Sequence, residues 1–459
     1  MPLWIALSLS LLLAVPAEPQ EKTPYPPLPP AKDDPSFGAQ VQRTMGLLAG
    51  STPAKRNRVR ILFYGQSITE QKWSKLVAED LRRRFPHADL EIENKAIGGF
   101  ASQLLSRVAE HDLLPFYPDL VIFHVYGDHT KYEEILRLLR TRTTAEILMQ
   151  RDHVTKWPVE NPDQKHPLWW DHMMNDVFLP QLAKKYGCGL ADVRGQWLDY
   201  LKAHSLEPKA LLSDDVHLND HGCFVMAEIV KRYLVHKPEL LSGEARSLVR
   251  SVEPGKEVAW QGTSLKLEFE GNRVDLVAAA SGSSGTARIL IDGKKPSEFP
   301  DCIAFTRTSP SQSFWGPALL RVSSEKPREV ESWTLKILEA DDAAEHLKFR
   351  VSGSKSGPDG EGVSDARFVS TSGRVVLEPG DWWVKNIRQI TKKPVPAGFE
   401  ITWKAVPMFA DTFTPPKSDD PSRETVVTVA QGLPNGKHTL ELLGQAPVGT
   451  IRIYRPPMK

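Results

Sequence analysis

Hydrophobic and polar residues follow two different patterns along the chain. Between about Val59 and His236, short runs that are apolar on both faces alternate with longer stretches of helical spacing. Because strands buried on both faces need helices on both sides of the sheet, this pattern predicts an α/β fold with a parallel sheet. The predicted strands are 60–64, 90–93, 120–125, 146–150 and 189–193, and the predicted helices are 71–84, 100–111, 131–141, 172–186, 196–204 and 220–235.

After about Leu240 the apolar residues recur with a period of two. Segments such as "SLKLEFEG", "WTLKILEA" and "FEITWKAV" alternate apolar and polar residues, and Gly, Pro, Asp and Asn separate them. This pattern is typical of an all-β sandwich, which we expect over residues 245–459. The turn-rich sequence "SGSKSGPDGEGVSD" lies within residues 330–380, where we expect an inserted β subdomain.

The N-terminal segment differs from both halves. An apolar run from Leu3 to Leu13, followed by small residues up to Ala17, has the pattern of a secretory signal peptide over residues 1–17, although no Lys or Arg precedes the run. A membrane anchor is the alternative, but the run is short for a helix that spans a bilayer. The Pro-rich, polar residues that follow predict an extended tether over 18–54. We therefore expect an exported protein, in the periplasm, at the cell envelope or outside the cell, with no membrane span after signal cleavage.

The overall composition narrows the classes of function. A chain of 459 residues is long enough for two or three domains. Lys and Arg number 58 while Asp and Glu number 57, a balance that argues against binding to nucleic acid. The three cysteines, Cys188, Cys223 and Cys302, are too few for a disulfide framework and too scattered for a zinc site. A Cys188–Cys223 disulfide and buried free thiols are both open alternatives.

The first predicted strand ends close to a serine that could be a nucleophile. Ser67 follows "RVRILFYGQ", and open α/β sheets bind their ligands at the carboxyl ends of the strands. The ordinary alternative is that Ser67 only caps the next helix. A nucleophilic serine needs a base with an orienting partner. The segment "SDDVHLNDHG" offers both, since Asp214 and His217 lie three residues apart in a predicted loop; a surface turn capped by Asp214 or Asp215 is the alternative there.

Four short blocks, "GQSIT", "NKAIGG", "VIFHVYGDH" and "DDVHLN", occur in that order along the α/β half. Together they resemble the SGNH, or GDSL-type, serine hydrolase superfamily over residues 55–240. The resemblance implies a flavodoxin-like three-layer α/β/α domain with Ser67 as nucleophile, His217 as base and Asp214 as its partner. It also implies that the backbone N–H groups of Ser67 and Gly99 bind the oxyanion, because glycine allows a close approach of the backbone.

The third block departs from the family pattern at Asp128, which stands where the superfamily has an oxyanion-binding Asn. An ionised carboxylate cannot donate a hydrogen bond, and its charge beside a developing oxyanion raises the barrier. Three interpretations are open. Asp128 is protonated in a dry site and donates; it turns away and Gly127 or His129 takes its role; or the protein has lost hydrolysis and kept a binding cleft.

Other polar residues stand at the same predicted strand ends. Gln66, which replaces the usual Asp of the first block, and His129, Asp152 and His153 are candidates for binding substrate. The alternatives are a solvated helix start for His129 and a simple turn for Asp152 and His153. His124, inside the third strand, is expected to be a core histidine.

The resemblance also bears on the β half, because several secreted polysaccharide esterases of the superfamily carry a jelly-roll-like β-sandwich. Six tryptophans of this half could stack on sugar rings or fill the core: Trp260, Trp315, Trp333, Trp382, Trp383 and Trp403. The resulting hypothesis is a secreted serine esterase, a carbohydrate O-acetylesterase, acting on a polysaccharide or other acylated carbohydrate without metal or organic cofactor. The alternative is a non-catalytic protein that binds carbohydrate or the cell envelope on the same scaffold.

Overall fold

The computed structural model of the protein describes residues 24–31, 34–279, 284–310, 315–417 and 419–459. An α/β unit comes first, and a β-rich region follows from residue 249. The predicted signal peptide, residues 1–17, lies outside the described residues. Within the described ranges, none of the helices has the length and apolar character needed to cross a bilayer.

The α/β unit is built on a parallel sheet. Within the described residues, its strands are β1 Arg58–Gly65, β2 Asp89–Asn94, β3 Leu120–His124, β4 Glu146–Gln150 and β5 Gly189–Ala191. They lie in the order β2-β1-β3-β4-β5, one of the two common orders of doubly wound sheets, in which ligands bind where the strand order reverses, here between β1 and β3. β3 and β4 are buried throughout, as their apolar sequences predict. The predicted parallel sheet is confirmed.

Helices cover both faces of the sheet and enclose two hydrophobic clusters. They are α1 Gln42–Ala49, α2 Ser67–Glu70, α3 Trp73–Arg84, α4 Ser102–Phe116, α5 His129–Arg142, α7 Leu179–Tyr186, α8 Val193–Ala203 and α9 Asp220–Tyr233. Two further short helices, α6 Trp169–His172 and α10 Gly243–Ser247, contain no buried residue. A π-helical segment, Met173–Phe178, joins α6 to α7. The six predicted helices all occur, although their ends differ from the predicted ones.

α1 lies inside the range that the sequence predicts as an extended tether, 18–54. Its apolar face is buried in the core of the α/β unit. The cap of its first turn comes from Glu146 in β4, whose Oε1 and Oε2 accept hydrogen bonds from the N–H groups of Arg43 and Thr44 at 2.9 and 2.7 Å. The tether prediction is therefore wrong over α1. The sequence near α1 does not reveal this helix, because the carboxylate that caps it lies 103 residues further along the chain than Arg43.

The β-rich region contains two larger antiparallel sheets in its described residues. The six-stranded sheet consists of β6 Val249–Val252, β7 Ser264–Ala278, β8 Thr286–Ile291, β16 Thr412–Phe413, β17 Val426–Gln445 and β18 Val448–Tyr454. The five-stranded sheet consists of β9 Ile303–Phe305, β10 Glu331–Ala340, β11 Leu347–Gly353, β12 Gly357–Val363 and β15 Glu400–Pro407. Between β12 and β15 lie a small pair, β13 Phe368–Val369 with β14 Val376–Leu377, and helix α11 Val384–Thr391.

The five-stranded sheet interrupts the six-stranded one along the chain. The chain leaves the six-stranded sheet after β8 and returns to it at β16, and each sheet has its own hydrophobic cluster. The insertion, residues 303–407, is therefore longer than the expected 330–380, and we call it the inserted unit. Within the inserted unit, β9 pairs with β15, nearly the whole insertion apart. The jelly-roll-like topology that we expected for the rest of the region stays a prediction.

Candidate active site

The end of β1 is shaped to expose a hydroxyl group. The register places Gly65 opposite His124 of β3, and a Cβ at Gly65 would overlap the carbonyl oxygen of His124, so only glycine allows this approach. Gln66 is extended and is the N-cap residue of α2. Ser67 is therefore not the cap of its helix, which was the ordinary alternative, and its half-buried side chain is available for another partner.

That partner is the imidazole of His217. Ser67 Oγ lies 2.9 Å from His217 Nε2, and His217 Nδ1 lies 2.7 Å from Asp214 Oδ2. The serine and the histidine are 150 residues apart in the chain, so the fold alone brings them together. Asp214 Oδ1 also accepts hydrogen bonds from the backbone N–H groups of Val216 and His217, both at 2.7 Å, which closes the loop into a tight turn.

The same contacts set the charge on Asp214. The backbone N–H groups of His217 and Val216, followed by the His217 imidazole, lower the pKa of Asp214 to about 2. Asp214 is therefore ionised at the pH of any ordinary ester assay. A carboxylate that accepts from Nδ1–H leaves Nε2 as an acceptor facing the Ser67 hydroxyl, which is the arrangement that general-base catalysis needs.

Two side chains outside this trio hold the loop that carries His217. Gln71 forms a two-point contact with Leu218, donating from Nε2 to its carbonyl oxygen at 2.8 Å and accepting from its N–H at 3.0 Å. His153 Nε2 lies 2.8 Å from the carbonyl oxygen of Val216. Gln71 was not predicted from the sequence. The only signal for it was its place just after the short helix that begins with Ser67.

Asp152 and His153 make contacts within the protein rather than with an open pocket. Asp152 Oδ1 lies 2.7 Å from Nε2 of the buried His124, and its Oδ2 accepts from Asn175 Nδ2 at 3.1 Å. Burial lowers the pKa of His153 to about 4, so its imidazole is neutral and Nε2–H donates to Val216. His153 thus supports the loop of His217, while Asp152 is engaged with His124 and Asn175. The role of both residues in binding substrate stays a prediction.

The loop after β2 carries Gly99, the other predicted oxyanion donor. The N–H of Ile97 donates to the carbonyl oxygen of Gly65 at 3.1 Å, which holds this loop at the end of β1, near Ser67. Gly99 has a φ of +79°, in the left-handed region that favours glycine. A Cβ on Gly99 would meet no described atom within 4 Å, so the space beside this residue is open.

The carboxylate of Asp128 is engaged with α5. Its Oδ1 accepts a hydrogen bond from the N–H of Lys131 at 2.9 Å and caps the helix, while its backbone carbonyl accepts from Ser102 Oγ at 2.7 Å. Gly127 has a φ of +126°, and a Cβ there would lie 2.8 Å from Ser102 Oγ. A carboxylate that acts as a helix cap is an acceptor, which favours the interpretation in which Asp128 is turned away from the oxyanion.

His129 is packed between aromatic rings. Its ring centroid lies 3.8 Å from that of Phe178 and 4.5 Å from that of Trp170, and both pairs are nearly parallel. Burial lowers the pKa of His129, so its imidazole is held neutral. His129 therefore packs against the half-exposed Trp170, and its role in binding substrate stays a prediction.

The described residues hold no group of three or more His, Cys, Asp or Glu side chains that could bind a metal ion. The three cysteines of the chain are all buried and, in the described part of the chain, unpaired. The Cys188–Cys223 disulfide, one of the two alternatives, is therefore wrong for this structure.

The structural neighbours of the chain are acetylxylan esterases and α/β hydrolases. They include the acetylxylan esterase Axe2 from Geobacillus stearothermophilus, at 18% identity and a TM-score of 0.34, over 40% of this chain and 98% of Axe2. They also include LAE5, an α/β hydrolase enzyme from the metagenome of Lake Arreo, Spain, at 18% identity and a TM-score of 0.33, over 40% of this chain and 98% of LAE5. No family model and no curated protein matches the sequence. At this sequence identity and TM-score, the structural similarity carries no information about the activity of this chain.

Proposed function

We propose that the protein is an exported serine esterase of the SGNH type that removes O-acetyl groups from carbohydrate. The observation that carries this proposal is the continuous path of hydrogen bonds from Ser67 Oγ through His217 to Asp214, with distances of 2.9 and 2.7 Å. Export is supported by the signal-peptide pattern of residues 1–17.

In the proposed reaction Ser67 Oγ attacks the ester carbonyl carbon while His217 Nε2 takes the hydroxyl proton. The negative charge that forms on the carbonyl oxygen is bound by the N–H groups of Ser67 and Gly99. The C–O bond to the sugar then breaks, His217 returns the proton to the leaving alkoxide, and the acetyl group remains on Ser67. Water attacks this acyl-enzyme with the same imidazole as base, so that acetate leaves and the serine is restored.

Asp128 has no part in this scheme. Its carboxylate caps α5, and the proposal therefore uses two backbone donors without the side-chain amide of the family pattern. Because removing one donor from an oxyanion hole costs about 10²–10³-fold in rate, we expect a slower reaction than that of an enzyme with the full set. This arrangement is compatible with catalysis, and it weakens the main reason for the non-catalytic alternative.

The proposal is tested by comparing aryl acetate hydrolysis by the native protein and by Ser67→Ala. We expect Ser67→Ala to lose at least about 10³-fold in kcat/KM, because the attacking oxygen is gone. Ser247→Ala, which removes a hydroxyl from the exposed α10, is the matched control and should keep native turnover. A fluorophosphonate probe should add its mass to the peptide that contains Ser67. Equal background turnover by the native protein and Ser67→Ala, without labelling, would favour the non-catalytic binding protein.

A further inference from the structure

The tryptophans of the β-rich region differ sharply in exposure. Of the six, all within the described residues, Trp333 and Trp403 are buried, and Trp260, Trp382 and Trp383 are packed against the hydrophobic clusters. Trp315, in the inserted unit, is 61% exposed. Most of these aromatic side chains therefore fill cores, and one large indole is left on the surface.

Trp315 lies beside the candidate active site. A Cβ built on Gly98 would lie 3.2 Å from Nε1 and 3.4 Å from Cζ2 of the indole, and 2.8 Å from Glu70 Oε2. Gly98 directly precedes Gly99, and Glu70 is the last residue of the short helix α2 that begins at Ser67. Because Gly98 has no side chain, the indole of Trp315 fits against its backbone, next to the proposed oxyanion hole.

The inserted unit is fixed against the α/β unit near Gly98 by an ion pair whose carboxylate is buried and whose guanidinium is partly exposed. Arg307 donates from Nε and Nη2 to the two carboxylate oxygens of Asp112 in α4, at 2.8 and 2.6 Å. Its Nη2 also donates to the carbonyl oxygen of Lys95, at 2.7 Å, in the loop that leads to Gly98. The carboxylate of Asp112 is nearly inaccessible, so this contact is costly to break. The ion pair therefore links the inserted unit to the loop that carries Gly98 and Gly99.

Two other exposed aromatic side chains lie in segments that follow strands of the parallel sheet, Tyr126 in a loop and Trp170 in α6. Tyr126, 47% exposed, follows β3, and Trp170, 43% exposed, follows β4. Flat aromatic surfaces of this kind contact the C–H faces of sugar rings, while a carboxylate such as that of the exposed Glu70 accepts hydrogen bonds from hydroxyl groups and repels acidic sugars. The chemistry beside Ser67 thus suits a neutral, polyhydroxylated ring.

We propose that Trp315 of the inserted unit is a stacking platform for a sugar ring next to the acetylated one, and that the substrate is an acetylated neutral oligo- or polysaccharide. This inference rests on the esterase function proposed above. The inserted unit extends the binding surface beyond Ser67, so that a chain of sugars, rather than a small ester, makes full use of the site.

The test compares kcat/KM on p-nitrophenyl acetate, on acetylated xylose and glucose, and on acetylated xylo- and cello-oligosaccharides. We expect the native protein to act better on an oligosaccharide than on the matching monosaccharide. Trp315→Ala should lower kcat/KM on the oligosaccharide by roughly 3–10-fold, mainly through KM, and leave p-nitrophenyl acetate unchanged within about twofold. Trp315→Phe keeps an aromatic face and should recover most of the loss. Ile390→Ala, an equally exposed side chain on α11 of the same unit, is the matched control.

The outcomes separate the two proposals. If Ser67→Ala abolishes turnover but Trp315→Ala changes the oligosaccharide and the aryl ester equally, or changes neither, only the platform is overturned. A native preference for monosaccharide acetates would also overturn it. If Ser67→Ala leaves all activities at the native level, the esterase proposal fails first.

Discussion

Two loops of the α/β unit begin with the same local structure and differ in what they can do. In the loop at 126–129, Asp128 accepts a hydrogen bond from the N–H three residues later, that of Lys131. In the loop at 213–217, Asp214 accepts from the N–H three residues later, that of His217. Both carboxylates thus close a turn through a backbone contact of the same length in sequence.

The difference lies in the second oxygen of each carboxylate. Asp214 Oδ2 contacts the imidazole of His217, and that imidazole reaches Ser67. Asp128 is followed by His129, whose ring is instead stacked between Trp170 and Phe178. An acidic residue near a strand end is therefore not enough to mark a catalytic role; what decides is whether its free oxygen meets a base that reaches the nucleophile.

The largest effect is expected at Asp214. Asp214→Asn should lower kcat/KM by about 10²–10⁴-fold, because an amide no longer holds His217 in the tautomer that accepts from Ser67.

The pKa of Asp214 is lowered to about 2, so the carboxylate stays charged as the pH falls and loses its charge only near that value. The pH profile of the native protein from 4 to 8 should therefore contain no step due to Asp214.

The neighbouring Asp215→Asn is the control for this measurement. It changes the charge of the same loop by the same amount and should alter kcat/KM by less than about threefold. An Asp214→Asn variant as active as the Asp215→Asn control would show that the contact between Asp214 and His217 has no catalytic role.

A smaller effect is expected at Gln71, which holds only the loop of His217. Gln71→Ala should lower kcat on aryl acetate by roughly 10-fold with little change in KM. Without the Gln71 contacts His217 is held less well in line with Ser67, which slows the proton transfer but leaves the binding of the ester unchanged. Gln71→Glu keeps the acceptor for the Leu218 N–H, so its kcat should lie between those of the native protein and of Gln71→Ala. Gln261→Ala, an exposed residue of the β-rich region, is the control. If the two Gln71 variants lose thermal stability and have the same kcat as each other, Gln71 has a purely structural role.

The sheet and the main helices could be predicted because their residues carry the pattern themselves. β3 and β4 are apolar along their whole length, and such runs have no other stable place than the centre of a covered sheet. α1 could not be predicted in this way, since the group that caps it is Glu146 in β4. The limits of the inserted unit were missed for the same reason, because they are set by the pairing of β9 with β15, which lie at opposite ends of the unit in the sequence.

The candidate site shows the same division. Ser67, Asp214 and His217 were found because each stands in a short motif at a predicted strand or helix end. Gln71 carries no such signal, because its role depends on a contact with the distant Leu218. Trp315 was one of six tryptophans that could stack on sugar rings or fill the core, and only its exposure and its place beside Gly98 in the fold distinguish it from the others. Local pattern therefore identifies reacting groups, while the residues that position them or extend the binding surface require the fold.

The smallest effect is expected at Asp128, and it sharpens the comparison between the two loops. Asn is as good a helix cap as Asp, so Asp128→Asn should keep α5 intact and, with the carboxylate turned to the helix, change kcat/KM by less than about threefold. Asp128→Ala removes the cap and should lower the free energy of unfolding by about 1 kcal/mol, measured by urea denaturation, with equally little change in turnover. A steep rise in the turnover of Asp128→Asn would contradict this, because it would mean that the carboxylate faces the oxyanion and obstructs the reaction. In that case the two loops would share more than their turn, since both aspartates would then act directly on the reacting groups.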